Sequence, residues 1–291
     1  MHFFSIEGNT QRLDGGAMFG NAPKTLWEKW ISADASNRIS LACRSLLLQD
    51  SRKKNILFEA GVGAFFEPKL KKRYGIFEEE HMLIKNLLSL GISDEDVDII
   101  ILSHLHFDHA GGLLSSFGDG EMRLLFPNAT IYVSEKQWKR ARSPLSRDKT
   151  SFIPLINQLL EDSGRLKFIE KETHPDFMEL GISFRFSEGH TPGLILSEIS
   201  TKQGPLVFAT DLIPALPWLH IPITPAYDRF PELSIQEKTF FLEEMIERKG
   251  KLFLTHDPKT ACIEIKRDEN GKYFGDPFDM TSLNSQSKPV S

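Results

Sequence analysis

Residues 97–112, VDIIILSHLHFDHAGG, carry an apolar run into a segment that places three histidines and an aspartate within six positions. A run such as Val97 to Leu102 reads as a buried strand. Its end then has to deliver His104, His106, Asp108 and His109 to places where each finds a partner. A buried polar group left unpaired costs about 1–3 kcal/mol. Four separate partners would be needed, whereas a shared cation satisfies the group together. In an extended segment His104 and His106 point to one side. If the chain then turns into a helix, Asp108 and His109 swing round to serve a second cation, and Gly111 and Gly112 allow close backbone approach.

The same arrangement recurs downstream. ISFRFSEGHTPG (182–193) reads as a strand followed by a loop that carries His190. LILSEIS and PLVFATD form an expected hairpin whose second strand ends at Asp211, and KLFLTHD runs from a strand to His256. Four apolar strands each end in a candidate ligand. If they are neighbours in sheets, their C-terminal edges bring His104, His106, Asp108, His109, His190, Asp211 and His256 to one rim. Imidazoles and carboxylates are the donors that borderline divalent metals such as zinc prefer.

The rest of the chain supplies alternating strands and helices. ISLACRSLLLQ (39–49) and NILFEAG (55–61) read as strands joined by a basic turn, and EEEHMLIKNLLSLG (78–91) as a helix stopped by Gly91. Ser93 is an expected N-cap. ATIYVS (129–134) reads as a strand, residues 135–142 and 151–164 as helices, and RLKFIE as a further strand. IQEKTFFLEEMIERKG (235–250) reads as a helix, and TACIEIKRDENGKYF (260–274) as a hairpin around Glu269-Asn270-Gly271. With no low-complexity linker or repeat, residues 1–291 are expected to form one α/β domain of sheets packed between helices. An N-terminal extension covers about 1–38, and a loose polar tail follows about residue 280.

Composition narrows the function. The net charge of −5 lacks the basic excess that neutralises phosphates, so nucleic acid is not an expected partner. No apolar run approaches bilayer length, and the N-terminus shows no signal-peptide pattern, so a cytoplasmic protein is expected. Cys43 and Cys262 are expected to be buried free thiols, although a disulfide is compatible with two cysteines.

SHLHFDH resembles the HxHxDH signature of the metallo-beta-lactamase superfamily, and His190, Asp211 and His256 follow in the order that superfamily shows. The resemblance implies an αββα sandwich, two mixed sheets flanked by helices, with a dinuclear site at the rim. His104, His106 and His190 would hold the first metal, and Asp108, His109 and His256 the second, with Asp211 bridging. The cofactors implied are two divalent ions: zinc, with iron or manganese as alternatives. Flavodiiron oxidoreductases carry a carboxylate where His106 stands. The RNA-processing nucleases of the superfamily add basic extensions, and hydroxyacylglutathione hydrolases a basic C-terminal region, neither of which is found here.

LDGGAMFG (13–20), ATDLIPALPWLHIP (209–222) and AYD (226–228) are similar to the branch of quorum-quenching N-acyl-homoserine lactonases. That likeness implies a hydrolase opening the lactone ring by a metal-bridging hydroxide, with Asp108 relaying a proton. Its partner would be a small acylated lactone or other ester, and a homodimer is implied by family. The better-known lactonases place a tyrosine three residues after the bridging aspartate, where Pro214 stands here, and Tyr227 is a candidate replacement. Alternatives are a phosphotriesterase of the methyl-parathion-hydrolase type, a thioesterase, an iron-dependent oxidoreductase and a metal-binding module without catalysis.

Met18, Phe19, Trp218, His220 and Tyr227 lie in Gly/Pro-punctuated segments and either wall an acyl pocket or pack as ordinary loop residues. His220 could also donate a proton. Asp257 reads as a turn residue, and KLKKR (69–73) as a solvated surface.

Overall fold

The computed structural model describes residues 1–284. Its strands are β1 (His2–Ile6), β2 (Gln11–Asp14), β3 (Arg38–Leu41), β4 (Ser45–Gln49) and β5 (Asn55–Phe58), then β6 (Ile99–Ile101), β7 (Thr130–Ser134) and β8 (Leu166–Ile169). The second half adds β9 (Ile182–Ser187), β10 (Leu194–Ile199), β11 (Leu206–Phe208), β12 (Lys251–Phe253), β13 (Cys262–Arg267) and β14 (Tyr273–Pro277).

Two six-stranded mixed sheets result, ordered β1-β4-β5-β6-β7-β8 and β14-β13-β12-β11-β10-β9, with β2 and β3 as a separate ribbon. Period-two alternation explains why the central strands are apolar throughout. On β4 to β6, Leu47, Leu57 and Ile100 face an outer core shared with helix Met82–Ser89 and helix Pro154–Asp162. Their neighbours Leu46, Leu48, Ile56, Phe58, Ile99 and Ile101 face the layer between the sheets. The second sheet divides likewise. Leu196, Val207 and Leu252 pack outward against helix Pro231–Glu247, while Ile195, Phe208 and Phe253 pack inward. Each such side chain contributes about 1.5–3 kcal/mol by leaving water. Phe58 meets Phe208 across the interface at 6.3 Å between ring centroids. The αββα sandwich expected from the sequence is the fold observed.

The run 39–49 is not one strand. β3 pairs with β2, and β4 joins the first sheet. Between them, Ala42 and Arg44 donate their amides to His256 O (3.2 Å) and Thr255 O (3.0 Å). The buried Arg44 guanidinium binds Glu7 Oε1 (2.6 Å), Leu254 O (3.1 Å) and Asp257 O (2.7 Å). Arg44 and Ser45 mark the point where the partner changes, but apolar residues on both sides make the run read as one strand.

The N-terminal segment is built into the fold: β1 is an edge strand, and Phe19 and Trp27 lie in the outer core of the second sheet. Of the tail expected to be loose, Met280–Leu283 forms one 3-10 turn, and Asn284 Oδ1 accepts from the Phe3 amide at 2.8 Å. Residues 285–291 lie outside the described residues. Cys43 and Cys262 are buried and not joined in a disulfide. Helix Pro68–Arg73 holds KLKKR with none of its residues buried. No helix of the described residues is long and apolar enough to cross a membrane.

Candidate metal centre

β6 ends at Ile101, and the Ser103 amide donates to Glu59 Oε1 at 2.9 Å, which keeps the chain extended into His104. His106 then caps a single turn, Phe107–Ala110, with the amides of His109 and Ala110 donating to His106 O. This turn re-aims Asp108 and His109, as the spacing implies. Gly112 seats the turn against the loop after β5: its amide donates to Gly61 O at 2.9 Å, and a Cβ there would lie 1.9 Å from Ala60 O. His190, Asp211 and His256 follow the C-terminal ends of β9, β11 and β12. β9 and β11 both run antiparallel to β10, and β12 runs parallel to β11, so the three ends share one edge.

All seven residues are brought together. His106 Nδ1 lies 3.0 Å from His104 Nε2 and 3.2 Å from His190 Nε2. Asp211 Oδ2 is 3.1 Å from His190 Nε2 and 3.8 Å from His104 Nε2. Beside this group, His109 Nε2 and His256 Nε2 are 3.2 Å apart. Asp108 Oδ1 lies 3.8 Å from His109 Nε2, and Asp108 Oδ2 lies 3.6 Å from His256 Nε2. Asp211 also reaches these two histidines, at 3.3 Å from His109 Nε2 and 3.2 Å from His256 Nε2. It therefore stands between two donor sets, His104/His106/His190 and Asp108/His109/His256.

The donors fit cations. His190 Nδ1 bonds Asp228 Oδ1 at 2.8 Å, and His256 Nδ1 bonds Ala42 O at 2.6 Å. Both partners accept, so the proton belongs on Nδ1 and the Nε2 lone pair faces the cluster. His104 Nδ1 is 2.8 Å from Ser103 Oγ. Imidazole nitrogens thus converge at about 3 Å, where like partial charges repel unless a proton or a cation lies between them. Asp211 Oδ1, buried without a hydrogen bond, is a further orphan that a cation would satisfy.

Burial, then the neighbouring imidazoles, holds His104 and His106 well below the usual histidine pKa. Burial opposes charge on His109, His190 and His256 as well, but Asp211 overrides it. His109 rises well above its usual value, and His190 and His256 rise to about 10. The carboxylates therefore pull positive charge into the cluster.

The cluster floors a cavity of about 90 Å³ whose walls include Leu13, Met18, Tyr74, Phe107, Pro214 and Tyr227. Two of the five residues expected to wall a pocket, Met18 and Tyr227, are there. Phe19 and Trp218 are not: they are fully buried and stacked at 4.5 Å, with Trp27 on the other side of Phe19 at 5.2 Å, because large rings without a polar neighbour pack best in the core. His220 is also elsewhere, against Trp30 at 5.3 Å in a separate hollow of about 570 Å³. Asp257 holds its turn, accepting from the amides of Leu216, Lys259 and Thr260.

Sequence reasoning quoted Asp228 and Ser103 within AYD and SHLHFDH without giving either a role, and it missed Gln11, whose Nε2 donates to Asp108 Oδ2 at 2.6 Å, and Glu59, 3.6 Å from His109 Nδ1. It also missed Tyr74 and Leu13 in the wall.

The sequence pattern of the metallo-beta-lactamase superfamily matches residues 40–256. An N-acyl homoserine lactonase of Bacillus sp is 31% identical over 134 residues, covering 46% of this chain and 45% of that relative. The chain thus spans a little under half the length of the first curated relatives it matches. Among solved structures, a probable metal-dependent hydrolase from Staphylococcus aureus aligns with TM-score 0.82 and 27% identity over 95% of this chain and 97% of that one. AidC, a dizinc quorum-quenching lactonase in complex with a product, aligns with TM-score 0.75 and 23% identity over 95% and 94%.

Proposed function

Because the chain belongs to the metallo-beta-lactamase superfamily, we propose that it is a metal-dependent hydrolase that opens the lactone ring of N-acyl-homoserine lactones. The observation that carries this reading is the convergence of seven imidazole and carboxylate groups, five of which (His106, Asp108, His190, Asp211 and His256) line one largely apolar cavity. The partial likeness to N-acyl homoserine lactonases and the full-length likeness to a probable metal-dependent hydrolase support it.

His104, His106 and His190 would hold one divalent ion and Asp108, His109 and His256 a second, with Asp211 shared. The donor set favours zinc, with iron or manganese as alternatives. The chemistry such a pair supplies when bound is Lewis acidity, which polarises an ester carbonyl and lowers the pKa of water towards neutrality.

The chain's own residues do the remaining work. Asp108 lines the cavity, and in this reading it would carry a proton to the ring oxygen as it leaves. Leu13, Met18 and Phe107 offer an acyl chain an apolar wall and keep water from it. Burial, with Asp108 and Asp14 nearby, raises the Tyr227 pKa, so its phenol stays a hydrogen-bond donor at the cavity edge. Pro214, also in the wall, offers no such donor. The same reading makes the protein cytoplasmic and, by family likeness, a homodimer.

The deciding experiment is pH-stat titration of acid release from a series of N-acyl-homoserine lactones with zinc-loaded protein. Metal-dependent release that varies with acyl length is expected. No release from folded, loaded protein would overturn the lactone assignment and turn the comparison to an aryl phosphotriester and an acyl thioester.

A further inference from the structure

One hydrogen bond reaches the centre from outside the family-matched segment 40–256. Gln11, on β2, is fully buried, and its Nε2 donates to Asp108 Oδ2 at 2.6 Å. The main chain around it is pinned. Gln11 pairs with Leu41 on β3, and the Arg12 amide donates to Tyr74 O at 2.8 Å. The Thr10 amide and hydroxyl donate to the Glu78 carboxylate at 3.2 and 2.6 Å, and Asn9 Nδ2 donates to Glu80 O at 2.8 Å. Gln11 thus holds Asp108 from a fixed platform.

Stability alone does not account for an amide at this position. Gln11 Oε1 is buried with no hydrogen-bond partner. A methionine of the same length would carry no such penalty. The Nε2 side explains the residue instead. The bond to Oδ2 holds the carboxylate with Oδ1 3.8 Å from His109 Nε2 and Oδ2 3.6 Å from His256 Nε2. Asp108 also lines the cavity, so its hydrogen-bonded contact is the one on the Gln11 side.

We propose that Gln11 is a positioning residue that, by donating to Oδ2, fixes the rotamer of Asp108 beside His109 and His256 and so sets the affinity of the second cation site. The inference rests on the two-cation reading of the cluster and is independent of which substrate is turned over.

The test is titration of metal-free protein with cobalt(II), followed by visible absorption and by competition with a chromophoric chelator. It compares wild type, Gln11→Met, Asp108→Ala and the double variant. Gln11→Met is expected to leave the first equivalent unchanged, to weaken the second by about 10–100-fold and to alter its visible spectrum. In the Asp108→Ala background the same substitution should change nothing further, because Gln11 acts through Asp108.

Wild-type affinity and spectrum in Gln11→Met would overturn the proposal. So would an effect that persists in the Asp108→Ala background, which is the mark of a general structural role. Should Gln11→Met not fold, Gln11→Asn withdraws the amide by one methylene and is read by the same two criteria. A wild-type chain that takes only one equivalent would overturn both this inference and the two-cation reading. Two equivalents bound without lactone hydrolysis would sink the substrate assignment alone, and the comparison would still decide the role of Gln11.

Discussion

Three of the cluster imidazoles are aimed by a partner on the ring nitrogen that faces away from the centre: Ser103 for His104, Asp228 for His190 and the Ala42 carbonyl for His256. Such partners fix tautomer and ring orientation and so set metal affinity. Asp228→Ala should therefore weaken metal binding by about 10–100-fold, read by competition with a chelator, although the residue would touch no metal. An unchanged affinity would mean that β9 and its loop orient His190 unaided. Tyr227→Phe keeps the ring in the wall and removes only the phenol. If that phenol bonds the substrate, kcat/KM for a lactone should fall about 2–10-fold, as expected for the loss of one neutral hydrogen bond. No change would make Tyr227 a wall residue only. The sequence assigns Tyr227 a candidate role but gives Asp228, quoted beside it in AYD, none. A carboxylate that acts through a histidine 38 residues away leaves no local spacing to recognise.

At the level of elements, what could be read from the sequence was where apolar strands end in ligand-type side chains. β6, β9, β11 and β12 each do so, and strand periodicity makes such ends conspicuous. Where the chain changes partner was not readable. The switch at 42–44 lies inside an apolar run, and its cause, a buried Arg44 bonded to Leu254 and Asp257, comes from over 200 residues away. β2, inside the extension expected over about 1–38, delivers Gln11 and Leu13, and a four-residue strand carries too little periodic signal to reveal where its side chains go. The turn Phe107–Ala110 depends on close packing against the loop after β5. Gly112→Ala would push a methyl into Ala60 O. Overpacking of this kind costs about 1–3 kcal/mol, and it should lower both the melting temperature and the metal content. A variant with wild-type stability and full metal would show that the loop yields.

Over the whole molecule, one buried cation ties the second sheet's helix to the segment around the site. Lys238, on helix Pro231–Glu247, donates to His220 O at 3.0 Å and to Ile223 O at 2.6 Å. Burial lowers its pKa to about 7, with Asp228 opposing. The unfolded chain, with an ordinary lysine pKa of about 10.4, holds this proton more tightly than the folded one. Above pH 7 the unfolded state therefore binds more protons, so this group makes stability rise with pH up to about 10. Below pH 7 its full penalty is present. Denaturant melts between pH 7 and 9 should show the rise in wild type and a flatter profile in Lys238→Met. Equal slopes would assign the rise to other groups.

Neither sheet is a complete chelator. The first contributes His104, His106, Asp108 and His109 from beyond β6, and the second contributes His190, Asp211 and His256 from beyond β9, β11 and β12. If the cluster holds cations as proposed, their affinity would gauge how well the two halves of the sandwich are docked, and they would act as a clasp across the layer where Phe58 meets Phe208. By mass action, metal at 1,000 times its Kd should add about 4 kcal/mol to unfolding. Stripping it with a chelator should lower the melting temperature and open the β6 and β9 ends to protease first. A melting temperature indifferent to metal would mean that the halves close without their clasp.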